Sequence, residues 1–329
     1  MSGSGGRKLR VGFIGAGAVV VQHLPPLEKL GRTQLVGVAS RTRERAAAAV
    51  AKHGGGVYTD ATQMLDEQHP DIVFVCLPPN MAGDACSLLI ERSIPFLVEK
   101  PLAADAETPT RLAAAIAQQG LVVAVGYQTR GLDFLPEVRA RFAQRPPRLL
   151  LARWLGDTPP PTWWRHADEG GGQVIEQATH QYDLARHLLG EATVLAAASV
   201  HHSRAALPDL DVADVSSALL HFAGGTIGSF ANSCISPVNL IEMEFISDGL
   251  TTALRLGGEW PRTRWTATFT DDDGSHEAPA GRDPYEVQAE AFLDAVDADD
   301  PTLVLSSYSD ALLTDRLTRA VVAATGAPG

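Results

Sequence analysis

The first 125 residues alternate short apolar runs with amphipathic stretches, and this alternation limits the possible folds more than any other feature. The runs are rich in Val, Ile and Leu at consecutive positions, which is typical of parallel strands covered on both faces. We predict strands at Leu9–Ile14, Gln34–Ala39, Ile72–Leu77, Pro95–Val98 and Leu121–Val125, and helices near Val19–Leu30, Arg43–His53, Thr62–Glu67, Ala82–Arg92 and Ala106–Gln119. The pattern predicts an α/β fold with a doubly wound parallel sheet at the N-terminus.

The pattern changes after Gly126. Residues 127–170 are rich in proline and are expected to be irregular, and a helix is predicted over Gln173–Leu189. The stretch Thr193–Phe269 alternates like antiparallel strands, with a hairpin turn at Gly224–Gly225. Further helices are predicted at Tyr285–Val296 and Ser306–Ala324. The sequence therefore predicts two domains, residues 1–125 and residues 126–329, and the second is an α+β domain with a large antiparallel sheet.

The charge and the histidine and cysteine content exclude several classes of function. The 329 residues carry a formal net charge of −12, which argues against a nucleic-acid binder and against binding to an anionic membrane surface. The three cysteines lack the spacing of metal ligands, and we predict that they are buried thiols in a protein of a reducing compartment. The adjacent pair His201 and His202 would point to opposite faces of a strand, so no metal site is predicted.

The N-terminus superficially resembles a signal peptide, because basic residues precede an apolar run from Val11 to Val21. That run is too short to span a membrane, is interrupted by glycines, and lacks a small-residue cleavage site. We therefore expect a cytoplasmic protein. The first six residues are expected to be disordered.

A glycine-rich turn follows the first predicted strand and leads into the first predicted helix. In the stretch Gly15-Ala16-Gly17-Ala18-Val19, Gly15 permits a tight turn and Gly17 lets the backbone approach a pyrophosphate. The positive end of the helix dipole would then face the phosphates. The third glycine of the usual fingerprint is replaced by Val20, and a glycine-rich turn in any parallel-sheet protein is the alternative. The position of the motif favours a Rossmann domain that binds a dinucleotide.

The end of the second predicted strand indicates which dinucleotide is bound. An acidic residue there would bind the ribose 2′-hydroxyl of NAD, but Ser40-Arg41-Thr42 stands in its place. A hydroxyl with an arginine suits a 2′-phosphate instead, although Arg41 and Arg43 could also merely cap and solvate the next helix. We predict NADP(H) as the preferred cofactor and NAD(H) as the alternative. Leu77 and Pro78, at the end of the third predicted strand, are assigned to the same site, as are Glu99 and Lys100 after the fourth predicted strand.

Two groups of residues could carry chemistry. Glu99-Lys100-Pro101 follows the strand that ends at Val98, at the sheet edge where such folds bind ligands, and the alternative is a surface lysine paired with Glu99. On the helix Gln173–Leu189, Glu176, His180 and Asp183 are spaced i, i+4 and i+7 and would share one face. The alternatives are a structural His180 and a bystander Asp183. Three titratable groups on one stripe favour a polar cleft.

Together these motifs resemble the Gfo/Idh/MocA oxidoreductase family, named after glucose-fructose oxidoreductase, inositol dehydrogenase and the rhizopine-catabolism protein. The similarity rests on Gly15-Ala16-Gly17 with His23, Glu99-Lys100-Pro101, Gly126-Tyr127-Gln128-Thr129-Arg130, Gly170-Gly171-Gly172 followed by Glu176, His180 and Asp183, and Tyr285–Phe292. In this order and spacing the motifs are specific, and they extend over almost the whole chain.

The resemblance implies a Rossmann domain, an open-faced antiparallel sheet, and homodimers or homotetramers formed through that sheet. It also implies that Lys100 and His180 serve hydride transfer between the nicotinamide and a carbon of a sugar or cyclitol. We expect His180 to exchange the hydroxyl proton and Lys100 to polarise the same oxygen, with either of them as the main proton donor. The family usually has Asp where Glu176 stands, which puts a Glu176 contact with a substrate hydroxyl in doubt. The histidine common after the third strand is replaced by Pro78-Pro79-Asn80-Met81.

The expected substrate is a small polyhydroxylated molecule. Tyr127, Arg130, Trp164, Arg165 and Asp183 are the candidate contacts, because aromatic faces stack on sugar rings and arginine binds hydroxyl or carboxylate groups. Trp163 and Trp164 could equally hold a loop to the sheet.

Three rival interpretations stay open. One is a non-catalytic regulator on the same fold, which the presence of both Lys100 and His180 disfavours. Another is a keto-deoxysugar nucleotide reductase, for which a basic cluster of Arg139, Arg141, Arg145 and Arg148 could bind the substrate diphosphate. A third is an enzyme whose tightly bound cofactor is recycled without release.

Overall fold

The computed structural model describes residues 7–258 and 263–326, so the predicted disorder of residues 1–6 lies outside the described part of the chain. The chain forms two compact units. The first contains the residues up to Gln128 together with Asp283–Ala311, and the second contains Thr129–Arg282 and the residues from Leu312 onwards.

Six parallel strands organise the first unit. The strands are β1 (Leu9–Ile14), β2 (Thr33–Ala39), β3 (Gly56–Tyr58), β4 (Ile72–Val75), β5 (Phe96–Val98) and β6 (Val123–Val125), and the helices between them are α1 (Val20–Leu30), α2 (Arg43–Val50), α3 (Ala61–Gln68), α4 (Pro79–Glu91) and α5 (Glu107–Gln119). Their order is β3-β2-β1-β4-β5-β6, and every neighbouring pair is parallel. The predicted doubly wound sheet is confirmed. Strand β3 was missed because three residues are too few to show a periodicity.

The strand order of this sheet reverses between β1 and β4, because β2 lies on the other side of β1. Ligands of doubly wound folds bind at such a switch point, outside the carboxyl ends of the strands. The turns after β1 and β4 are therefore placed where a cofactor would be expected.

An eight-stranded sheet organises the second unit. Its elements are α6 (Leu135–Gln144), β7 (Leu149–Leu155), α7 (Ala167–Gly170), α8 (Gly172–Glu176), α9 (Thr179–Leu189), β8 (Ala192–Val200), β9 (Val215–Phe222), β10 (Ile227–Ser233), β11 (Leu240–Ser247), β12 (Leu250–Gly257), β13 (Arg264–Asp271) and β14 (Gly274–Pro279). The strand order is β14-β13-β12-β11-β7-β10-β9-β8. The antiparallel prediction holds for every neighbouring pair except β7 and β10, which are parallel.

The stretch 127–170 was predicted to be irregular, and this prediction was wrong for α6 and β7. Pro146 and Pro147 lie between these two elements and not within either of them. The prolines therefore mark a short connection, and they do not disrupt the helix or the strand.

The two faces of the eight-stranded sheet differ in character. On one face, large apolar side chains pack with α9, and the ring of Tyr182 stacks on Phe230 with the ring centroids 4.3 Å apart. On the other, which we call the open face, Glu242 on β11 pairs with Arg153 on β7 and with Arg255 on β12. The open face also carries the exposed side chains of Val200 and Leu219.

The single helix predicted over Gln173–Leu189 is two helices, α8 and α9, separated by Gln177 and Ala178. The amide of Ala178 donates to the carbonyl of Gln173 at 2.8 Å, so one bond spans five residues where a regular helix spans four. This irregularity interrupts the helical register between Glu176 and His180. The prediction that Glu176, His180 and Asp183 form one regular stripe was therefore wrong, although His180 and Asp183 share α9.

Two helices follow the second sheet, α10 (Pro284–Ala298) and α11 (Tyr308–Ala324). Helix α10 belongs to the first unit: Phe292 packs edge-on against Phe74 with ring centroids 5.8 Å apart, and Gln288 donates to the carbonyl of Val125 at 2.9 Å. The structure thus differs from the predicted division at residues 125 and 126, because residues 283–311 return to the N-terminal unit. Helix α11 starts in the first unit and ends in the second.

Cys76, Cys86 and Cys234 are free and buried, which agrees with the prediction of buried thiols. Burial raises the pKa of Cys86 to about 12. Among residues 7–258 and 263–326, no helix has the length and apolar character needed to cross a membrane.

Phe292→Ala should lower the free energy of unfolding by about 3–5 kcal/mol, because the ring fills a fully buried site against β4. Leu303→Ala is the matched control, since this side chain of the same returning segment is 46% exposed and its loss should cost much less. Urea unfolding followed by circular dichroism measures both. Equal losses in the two variants would show that α10 does not form part of the core of the first unit.

Candidate active site

The glycine turn after β1 is closely packed at Gly15 and leaves open space at Gly17. Gly15 has φ of +105°, and a Cβ there would lie 2.1 Å from the carbonyl oxygen of Cys76, so a side chain at this position is excluded. At Gly17, by contrast, a Cβ would meet no atom of the described residues within 4 Å. Helix α1 begins three residues later, at Val20. The open space at Gly17 and the start of α1 together fit the pyrophosphate of a dinucleotide.

The residues after β2 and β4 complete this edge of the sheet. The amide of Ser40 donates to the carbonyl of Tyr58 at 3.0 Å, while the side chains of Arg41 and Thr42 are exposed. Leu77 and Pro78 are partly exposed and precede α4. An exposed guanidinium next to a hydroxyl is suited to a 2′-phosphate. The assignment of these side chains to a cofactor stays a prediction.

Glu99 is held by a residue of the first helix. His23 Nε2 lies 2.8 Å from Glu99 Oε1, and both side chains are buried. The ring of Tyr285, from α10, packs edge-on against the ring of His23. Backbone hydrogen bonds fix the same segment, because the amide of Glu99 donates to the carbonyl of Val75 at 3.0 Å. The carboxylate end of Glu99 is therefore immobilised inside the first unit.

The Glu99 carboxylate restricts the residue type at position 126 and affects the pKa of two neighbouring side chains. A Cβ at Gly126 would lie 2.6 Å from Glu99 Oε2, which explains why glycine occupies that position. Burial, and then the negative charge of Glu99, raise the pKa of both Tyr285 and Cys76. Glu99 was predicted to bind the cofactor, whereas its contacts within the described chain are internal. Lys100 follows directly and is partly exposed, so the anchored Glu99 fixes the backbone from which Lys100 projects.

His180 lies in the second unit, near the start of α9. Its ring is stacked on that of Trp154 from β7, with the centroids 6.1 Å apart and the planes 15° apart, and the residue is 8% exposed. Glu176, at the end of α8, is partly exposed and accepts a hydrogen bond from Trp164 Nε1 at 2.9 Å. Both candidate catalytic side chains of this unit are thus oriented by tryptophan rings.

Asp183 and Arg130 were both predicted to contact substrate, but the structure brings them into contact with each other. Two bonds of 2.7 and 2.6 Å join the guanidinium to the carboxylate, and Thr314 Oγ1 donates to the same carboxylate at 2.8 Å. Asp183 is fully buried. A bidentate pair of this kind satisfies both charges inside the unit, so these residues stabilise the site region and are not exposed to a ligand.

The other predicted substrate contacts differ in exposure. Tyr127 and Trp164 are each 1% exposed, which makes their rings part of the packed interior. Arg165 is partly exposed, and its Nη1 lies 3.4 Å from Asp209. No local sequence pattern indicated the stacking of Trp154 on His180 or the hydrogen bond from Thr314 to Asp183. The role of His23 as the partner of Glu99 was also missed, although His23 had been noted as a family match.

Replacing His23 by Leu should lower the free energy of unfolding by about 2–3 kcal/mol, because it leaves the buried Glu99 carboxylate without its imidazole partner. The double variant His23→Leu with Glu99→Leu should be more stable than His23→Leu alone, since no buried polar group is left unsatisfied. Denaturant unfolding of the wild type, both single variants and the double variant measures the coupling. If the two single losses simply add, the hydrogen bond does not contribute.

Sequence models of two known protein domains match this chain. Residues 9–127 match the sequence model of the Gfo/Idh/MocA oxidoreductase family with an NAD-binding Rossmann fold, and residues 137–249 match the model of the Gfo/Idh/MocA C-terminal domain. Inositol 2-dehydrogenase 4 of Saccharopolyspora erythraea is 29% identical over 204 residues, which cover 60% of this chain and 58% of that protein. The dTDP-3,4-didehydro-2,6-dideoxy-alpha-D-glucose 3-reductase of Saccharopolyspora spinosa is 28% identical over 239 residues, 67% of each chain.

A crystal structure of a 3-ketoreductase from Actinomadura kijaniata, in complex with NADP and TDP-benzene, has the same fold. The TM-score is 0.84 at 21% identity, with 97% of this chain and 98% of that chain covered. The two family models together span more than half of the sequence, in the predicted order of domains. The chain therefore belongs to the Gfo/Idh/MocA family of oxidoreductases.

Proposed function

We propose that this protein is an NADP(H)-preferring oxidoreductase that transfers a hydride between the nicotinamide and a carbon of a sugar, cyclitol or keto-sugar. The observation that carries the proposal is the anchored turn at Glu99 and Lys100, which follows the carboxyl end of β5 in an NAD-binding Rossmann domain. Inositol dehydrogenase and keto-sugar reductase relatives support the substrate class.

The preference for NADP(H) rests on the end of β2. Ser40 and the exposed Arg41 stand where an NAD-specific domain would present a carboxylate to the ribose. The 3-ketoreductase of the same fold was crystallised with NADP, which agrees with this assignment. The glycine turn at Gly15 and Gly17 would hold the pyrophosphate.

In the proposed mechanism Lys100 and His180 act on the same carbon–oxygen group of the substrate. A nicotinamide dinucleotide held by the glycine turn would provide the hydride donor or acceptor. In the direction of oxidation His180 removes the hydroxyl proton, and in the direction of reduction it returns a proton to the oxygen. Lys100 stabilises the negative charge that develops on that oxygen. The stacking of His180 on Trp154 limits rotation of the imidazole, which favours a fixed proton path.

A keto-deoxysugar nucleotide reductase is the second candidate, favoured by the 3-reductase relative. The basic cluster proposed for its substrate diphosphate receives less support. Arg141 is paired with Glu137, Arg145 donates to the carbonyl of Gly249, and Arg148 lies 3.8 Å from Asp248. Arg139 contacts the ring of His187. Because all four arginines have partners within the chain, we favour an unphosphorylated polyol or keto-sugar.

We further propose that the protein forms homodimers or homotetramers through the open face. Arg153 and Arg255 are exposed there around the buried Glu242, which neutralises part of their charge, and Val200 and Leu219 supply exposed apolar surface. An isologous contact would bury this apolar surface against the same patch of a second copy. The cytoplasmic location stays a prediction.

The decisive experiment incubates the purified protein with NADP⁺ or NADPH and a panel of sugars, inositols, keto-sugars and nucleotide-linked sugars, and follows the absorbance of the reduced nicotinamide. Lys100→Met should lower kcat by about 100-fold or more for the best substrate, because the methylene chain is retained while the charge that stabilises the oxygen is lost. Unchanged melting temperatures control for folding. Turnover close to that of the wild type would remove Lys100 from the mechanism.

Arg41→Ala should weaken NADPH binding by about 10- to 100-fold and leave NADH binding nearly unchanged, because only NADPH carries the 2′-phosphate that the guanidinium would contact. Arg45→Ala is the matched control, as Arg45 is also an exposed arginine and lies in α2. Fluorescence titration of each nicotinamide gives the dissociation constants. A wild-type protein that binds NADH at least as tightly as NADPH would contradict the assignment.

A further inference from the structure

Glu176 lies at the interruption between helices α8 and α9. It is the last residue of α8, and the irregular hydrogen bond from Ala178 to Gln173 separates it from α9, where His180 lies. Glutamate also has one more rotatable bond than the aspartate that the family resemblance predicts at this position. Both features would allow the carboxylate to adopt several orientations, and fixing such a side chain has an entropic cost.

The indole of Trp164 opposes this freedom. Trp164 Nε1 donates to Glu176 Oε2 at 2.9 Å. A hydrogen bond to an ionised acceptor is among the stronger kinds, and indole has a single donor with a fixed direction. The bond therefore sets the direction in which the Glu176 carboxylate points.

Trp164 is itself immobile. Its ring is 1% exposed and packs with Leu210, Val212 and Cys234. The short segment that carries it is tied down, because the amide of Asp211 donates to the carbonyl of Arg165 at 3.0 Å. The indole N–H is thus a fixed donor at the edge of a small apolar cluster, while Glu176 remains partly exposed.

We propose that Trp164 is a positioning residue that fixes the carboxylate of Glu176 to accept a hydrogen bond from a substrate hydroxyl. This inference rests on the proposed function for the identity of the ligand, a polyol. It replaces the expectation that Trp164 stacks on a sugar ring, because its buried ring offers no face to a ligand. The indole compensates for the longer glutamate side chain and for the interruption between α8 and α9.

The contact between Trp164 and Glu176 can be tested without any activity. The chain contains five tryptophans, so the ¹⁵N-labelled protein should give five indole resonances. Trp164→Phe identifies the resonance of Trp164. Glu176→Ala should then shift this resonance more than the other four, because it removes the acceptor. An unmoved Trp164 resonance would overturn the proposal.

The effect on turnover is tested with Trp164→Phe, Glu176→Asp and the double variant. Trp164→Phe keeps an aromatic ring in the cluster and should lower kcat by about tenfold, since a small misplacement of a polar group costs rate. In the Glu176→Asp background the same replacement should change kcat by about twofold or less, because the shorter side chain no longer reaches the indole. Trp163→Phe is the matched control; the ring of Trp163 lies against Gly170.

The results of these experiments distinguish the positioning role of Trp164 from the proposed oxidoreductase function. Equal effects of Trp164→Phe in both backgrounds, or a rise in KM with unchanged kcat, would overturn the positioning role. A wild-type protein that turns over no substrate of the panel would contradict the proposed function, and the indole resonance would still decide whether Trp164 fixes Glu176. If Trp164→Phe folds poorly, Glu176→Asp breaks the same bond from the other side.

Discussion

The hydrogen bond between His23 and Glu99 joins two elements that are far apart in the sequence, helix α1 and the turn after β5. Helix α1 begins directly after the glycine turn, and Glu99 directly precedes Lys100. One buried contact therefore fixes the distance between the expected phosphate site and the expected catalytic ammonium group. The backbone pairing of β1 with β4 and of β4 with β5 also fixes the distance between these two turns, because each turn follows one of the paired strands. The demand for a small residue at position 126 follows from this arrangement, because the carboxylate fills the space a side chain would need.

The parts of the fold that repeat locally could be predicted from the sequence. Continuous apolar runs predicted the parallel sheet, and period-two alternation predicted most of the second sheet. Contacts between distant segments could not. The parallel pairing of β7 with β10 joins Leu149 to Ile227, and no local pattern records such a partner. The interruption between α8 and α9 was also invisible, because one hydrogen bond that spans an extra residue leaves the amphipathic pattern almost unchanged.

The candidate site shows the same limit at the level of side chains. The position of Lys100 after a buried strand was enough to single it out. The type of a polar residue did not reveal whether it faces a ligand or the interior. Asp183 is a clear case, because its partner Thr314 lies 131 residues further along the chain. A carboxylate that finds a guanidinium and a hydroxyl inside the protein can be buried at little net cost, and only the three-dimensional structure identifies such partners.

The return of α10 to the first unit has a consequence for the growing polypeptide on the ribosome. Phe292 and its neighbours complete the apolar layer over β1 and β4, yet they are translated after the whole of residues 129–282. Part of the hydrophobic surface of residues 1–128 therefore stays uncovered until residues 283–311 have been synthesised. A gene fragment that stops at residue 128 would encode all six parallel strands, but it would lack helix α10, which packs against their hydrophobic core.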